Sequence, residues 1–86
     1  MKEQEIGFVS NYFSQISVAA IEMTKGKLKT GDTIHIKGHT TDFEEIVKSL
    51  QIEHADISEA KAGDSIGLKV SQHVRKKDKV YKVIED

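Results

Sequence analysis

The stretch Lys29-Thr30-Gly31-Asp32-Thr33-Ile34-His35-Ile36-Lys37 returns further along the chain as Lys61-Ala62-Gly63-Asp64-Ser65-Ile66-Gly67-Leu68-Lys69, so both copies read K-x-G-D-[ST]-I-x-[IL]-K. A Gly-Asp step followed by alternating apolar residues is a turn that feeds a half-buried strand. A fainter third copy, Arg75-Lys76-Lys77-Asp78-Lys79-Val80-Tyr81-Lys82, keeps the aspartate but has Lys77 in place of the glycine, which suggests a different turn there. Repeated strand entries in a chain of 86 residues predict one compact antiparallel all-β domain. Gly31 and Gly63 are expected at positive φ, with Asp32 and Asp64 bonding to the turn backbone. These are structural duties rather than those of metal-binding or catalytic carboxylates.

Outward from the repeat, the alternation continues. Ile34 and Ile36 point inward, and Thr33, His35 and Lys37 point out, with Gly38 closing the strand. Ile66, Leu68 and Val70 take the same inward role in the second copy. Ile6 to Val9 reads as a first strand. Ile16 to Met23 reads as a second, with Ile16, Val18 and Ala20 on one face and Ala19 and Ile21 on the other. Lys79 to Ile84 reads as the last. Thr41 to Ala55 is ambiguous. Phe43, Ile46, Val47 and Leu50 have helical spacing behind a Thr41/Glu44 capping box, whereas a strand would line up Ile46, Leu50 and Ile52 with Lys48 between them. Asp56 to Ala62 has the makings of one helical turn ended by Gly63.

Composition narrows the function classes. Cysteine is absent, which excludes disulfide staples, thiolate zinc sites and cysteine nucleophiles, and fits a reducing compartment. The start Met1-Lys2-Glu3-Gln4-Glu5 is acidic and leads straight into a strand, with no apolar run of membrane-spanning length, so the expected location is the cytoplasm and no membrane partner is expected. Thirteen Lys plus Arg stand against 14 Asp plus Glu, for a net charge of −1. Any basic footprint for nucleic acid must therefore be local.

With those motifs in view, Gly26-Lys27-Leu28-Lys29-Thr30-Gly31-Asp32 followed by Ala60-Lys61-Ala62-Gly63-Asp64-Ser65-Ile66-Gly67-Leu68 resembles the second domain of translational GTPases such as elongation factor Tu, over about Ile16 to Ile84. The chain is also similar to small stand-alone elongation-factor-like proteins and to accessory domains of collagenase-like peptidases, in which Gly38-His39-Thr40-Thr41-Asp42-Phe43 follows the third strand. The resemblance implies a closed six-stranded Greek-key barrel and turns Thr41 to Ala55 into strand. It does not imply GTP turnover. The chain has no G-x-x-x-x-G-K-[ST] phosphate loop, and Phe13-Ser14-Gln15-Ile16-Ser17 stands where the translation factors carry a glycine-rich segment.

Neither a catalytic nucleophile–base pair nor a cofactor motif stands out, so a non-enzymatic module is expected, with no cofactor. His35, His39, His54 and His73 lack ligand-like spacing and read as independent surface histidines, with no metal site. The candidate contact residues are Lys25, Lys27 and Lys29, Arg75, Lys76, Lys77 and Lys79, and the loop residues His39 and Thr40. If the basic turns meet at one end of the barrel, they form a cationic patch for structured RNA or a ribosome-associated partner, with Tyr12 and Phe13 available for stacking. The rival expectation is a protein-interaction module that docks on a separately encoded enzyme such as a peptidase. A ligand-holding barrel would need an interior cavity, and the Ile, Val and Leu set predicts a filled core instead.

Overall fold

A computed structural model describes residues 2–53 and 55–84. Among the described residues there is no helix. The chain forms β1 (Lys2–Phe13), β2 (Val18–Met23), β3 (Lys27–Lys29), β4 (Thr33–Lys37), β5 (Asp42–Ile46), β6 (Leu50–Ile52), β7 (Ala55–Ile57), β8 (Glu59–Lys61), β9 (Ser65–Lys69) and β10 (Lys79–Ile84). An eight-stranded sheet runs β5-β4-β10-β1-β2-β9-β6-β7, and β3 pairs with β8 in a separate two-stranded sheet. Each pairing is antiparallel. The all-β antiparallel expectation therefore holds. Among the described residues the strands number ten rather than six, and the hydrogen-bonded ladder ends at β5 and β7 without a pairing between them.

The repeat is threefold. In each copy the aspartate carboxylate accepts from the backbone N–H three residues earlier at 2.9 Å: Asp32 from Lys29, Asp64 from Lys61 and Asp78 from Arg75. Each turn then clasps one core residue by two backbone bonds. Gly31 donates to Val47 and Val47 to Asp32. Gly63 donates to Met23 and Met23 to Asp64. Lys77 donates to Val9 and Val9 to Asp78. The residue before the aspartate has positive φ in all three copies, 94° at Gly31, 96° at Gly63 and 77° at Lys77. The expectation of a different turn in the third copy is thus corrected. Lys77 adopts the glycine's conformation because the same carboxylate and clasp hold it there.

The repeat also sets the core. Leu28, Ala60 and Val74, each four residues before an aspartate, are buried, as are Ile34, Ile66 and Val80, each two residues after. β1 departs from simple alternation. Register shifts between Glu5 and Gly7 and between Val9 and Asn11 turn both Ile6 and Val9 fully inward, which leaves Phe8 facing out. In β2 the inward set is Ala19, Ile21 and Met23, while Val18 and Ala20 line the outer face and Ile16 lies in the preceding turn.

Within Thr41 to Ala55 the described residues form β5, β6 and the start of β7, strand as the resemblance implies, but the facing is not the one expected. Phe43, Val47 and Leu50 are buried, whereas Ile46 is 56% exposed. The helical turn expected over Asp56 to Ala62 is replaced by β7 and β8. No helix among the described residues is long and apolar enough to cross a membrane.

Candidate functional site

The β1–β2 turn presents two large apolar side chains to solvent. Ile16 N–H donates to the Phe13 carbonyl at 3.3 Å, closing a four-residue turn, and Ser17 follows at φ 57°, with its carbonyl held by Val70 N–H at 2.9 Å. A serine in the left-handed region costs about 1 kcal/mol or more, so the turn is fixed by its surroundings rather than by local preference. The result is Phe13 at 46% and Ile16 at 58% exposure beside the outer face of β2.

That face continues as a groove. Ala20 lies opposite Gly67 of β9, and Gly67 lies opposite Gln51 of β6. With no side chain at Gly67, the strip between Val18, Ala20 and Gln51 has a bare floor, and Phe13, Ile16 and Glu53 wall it. A Cβ at Gly67 would sit 3.4 Å from Val18 Cγ1 and 4.0 Å from Gln51 Cβ, so a methyl group would fill the floor with only a small adjustment. Polar pairs flank the strip: Glu22 accepts from the Ser65 hydroxyl further along β2 and β9, and Gln51 donates to Asp56 at 3.0 Å on β6 and β7. The groove is apolar along its length and acidic at its rim. A surface that combines exposed aromatic and branched aliphatic side chains with a polar rim suits a protein partner.

A second cluster surrounds His35. Its ring projects from the outer face of β4, opposite Glu44 of β5 and Tyr81 of β10. Nδ1 lies 2.7 Å from Glu3 Oε2, Nε2 is hydrogen-bonded to the Asp42 carboxylate, and the side chain is 15% exposed. The Asp42 hydrogen bond, reinforced by the bond and charge of Glu3, raises the imidazole pKa above its usual 6.5 against the opposing effect of burial. The same bond lowers the carboxyl of Asp42 below its usual 3.8. Glu3, His35 and Glu44 each bring one ligand-type atom within 4.8 Å of the other two. Both ring nitrogens are already engaged by carboxylates, so the group is an ion-paired cluster. Reading His35 as an independent surface histidine missed this, because its partners lie on β1 and β5 and spacing along the chain does not reveal cross-strand neighbours. His39 is exposed in the β4–β5 turn, His73 packs its ring edge-on against Tyr12 at 4.7 Å, and His54 lies outside the described residues.

The basic candidates do not converge. Lys79 pairs with Lys37 at the end of β4 that leads to His39 and Thr40, so Arg75, Lys76, Lys77 and Lys79 share that end with the loop. Lys27 and Lys29 lie on β3, which enters the opposite end of β4 through Gly31-Asp32, and Lys25 N–H donates to the Ile6 carbonyl, level with the middle of β4. The single cationic patch for RNA, conditional on these turns meeting, is not formed by these two groups.

A sequence profile of elongation factor Tu domain 2 matches residues 17–80. The chain is 50% identical over 78 residues, 90% of its length, to an uncharacterized protease of Methanocaldococcus jannaschii, and covers 19% of that protein. It is 35% identical over 78 residues to a collagenase of Porphyromonas gingivalis, covering 22% of it. The chain therefore spans about a fifth of the length of these curated relatives. Among solved structures, the C-terminal domain of a Geobacillus thermoleovorans protein described as a U32 peptidase superimposes with a TM-score of 0.86, covering 94% of this chain and 93% of that one at 15% identity. This last likeness is one of fold.

Proposed function

The chain belongs to the elongation factor Tu domain 2 family, and from that premise we propose that it is a non-catalytic docking module for a peptidase body, bound through the groove at Phe13 and Ile16. The observation that carries this reading is the 50% identity to a protease of which this chain matches only 19%. A module so similar to one part of that protein has the remainder as its natural counterpart, whether the two are joined in one chain or meet as separate ones. The groove supplies what such a contact needs: desolvatable apolar anchors at its centre and acidic side chains at its rim to favour a partner with basic edges. The closed barrel of the family is the architecture we infer for the module. Backbone bonds from Thr30 to Ser58 and from Gly31 to Val47 bridge the two ends of the ladder.

The test uses the Methanocaldococcus jannaschii protease with its matching 78-residue segment deleted, titrated calorimetrically with this chain and, as the positive control, with its own isolated segment. The expected result is binding by both, changed little between about 50 and 200 mM salt, since an apolar interface releases few counterions. Binding by the control segment alone would contradict the proposal. A steep loss of affinity with salt would also contradict it, by pointing to a charged contact.

A further inference from the structure

We propose that His35 is a proton-operated clasp that, with both ring nitrogens protonated, ties the N-terminal end of β1 to the β4–β5 edge of the sheet, and releases it when the ring loses a proton. Each ring nitrogen faces a carboxylate, Glu3 on Nδ1 and Asp42 on Nε2, and an ionised carboxylate only accepts. Both contacts are satisfied together only if both nitrogens carry hydrogen, which is the imidazolium. The neutral ring has one N–H, so one carboxylate must face a lone pair.

The setting makes this loss consequential. Residues 3–5 of β1 lie in the ladder to β10, and the ladder to β2 begins only at Gly7. Glu3 reaches across β10 to the ring on β4, and Asp42 stands on β5, a terminal strand of the sheet. His35 therefore ties β1, across the intervening β10, to the neighbouring strands β4 and β5. The charged and titratable groups around it are four carboxylates, three lysines and one tyrosine. Glu3 and Glu5 come from β1, Asp42 and Glu44 from β5, Lys37 from β4, and Lys79, Tyr81 and Lys82 from β10. Lys79 is already 3.4 Å from Glu5, and Lys82 is 3.4 Å from Asp32. Lys37 acts on Asp42. Deprotonating the ring removes the cation at the centre of Glu3, Asp42 and Glu44, and their repulsion then favours loosening of the β1 arm.

The experiment is a long-range ¹H–¹⁵N titration of the histidine rings in the full chain, in chelator-containing buffer, for the unmodified protein, Glu3→Gln and Asp42→Asn. Amide exchange of residues 2–5 is followed in parallel for the unmodified protein and His35→Gln. At low pH both His35 nitrogens should be protonated, with a midpoint above the usual 6.5. Both carboxamide variants should lower that midpoint. Amide protection of residues 2–5 should exceed that of His35→Gln at low pH and converge with it above the midpoint, by about tenfold for each unit the midpoint is raised. A His35 midpoint at or below 6.5, or a protection ratio that does not change across the midpoint, would overturn the clasp.

Discussion

A side chain at Gly31 or Gly63 would meet nothing within 4 Å, so any cost of substituting either residue arises in the backbone alone. Alanine at either position, held at φ near 95°, should destabilise the fold by about 1–2 kcal/mol, read as a shift of the urea midpoint at unchanged slope. Lys77→Gly is the reciprocal test. It removes the strain of a lysine at φ 77° while adding freedom to the unfolded chain, and should be neutral or stabilising by up to about 1 kcal/mol. At His35 the sign of the pH dependence follows from its raised pKa. Its contribution to stability is complete below the usual 6.5 and is lost as pH climbs through the higher folded-state value. Asp42 works in the opposite direction: its lowered pKa gives a contribution present above the usual 3.8 and lost as pH falls through the folded value. Denaturation midpoints across pH should therefore fall on the alkaline side of 6.5 in the unmodified protein, and His35→Gln should flatten that decline.

Among the elements, the segment from Thr41 to Ala55 separates local pattern from tertiary outcome. A helix would bury Ile46 together with Phe43, Val47 and Leu50. Instead β5 ends at Ile46, which is 56% exposed, and Val47 just beyond it is 1% exposed. Ile46→Ala should thus change stability by less than about 0.5 kcal/mol, and Val47→Ala should cost about 2 kcal/mol. Comparable losses at both sites would restore the helical stripe. The strands that follow the Gly-Asp turns were legible because each combines a turn residue with strict alternation, and Ile34, Ile36, Ile66 and Leu68 are buried accordingly. β1 was not legible in full, because its two register shifts break the period of two and place Val9 rather than Phe8 inward. The third turn was obscured by Lys77, whose conformation is imposed by the Asp78 carboxylate and the Val9 clasp. The His35 cluster was invisible because it is assembled across strands, and the groove was invisible because its floor is the absence of a side chain at Gly67.

For the whole molecule, the proposed working face is the groove walled by Phe13 and Ile16. Two substitutions probe it without touching the core. Phe13→Ser removes an exposed anchor, and Gly67→Ala fills the floor where a methyl group fits. Each should weaken binding to the truncated protease body by about tenfold or more, since a central anchor typically contributes over 1 kcal/mol, while Lys76→Glu should leave it unchanged. The most direct test is an amide-resolved NMR map of the labelled chain as that body is added. Perturbation concentrated on Phe13 to Ala20, Gln51 and Gly67 is the predicted result. Perturbation confined to Lys25–Lys29 or to His39, Thr40 and Arg75–Lys79, or an unchanged spectrum when the body binds its own segment, would contradict the docking face.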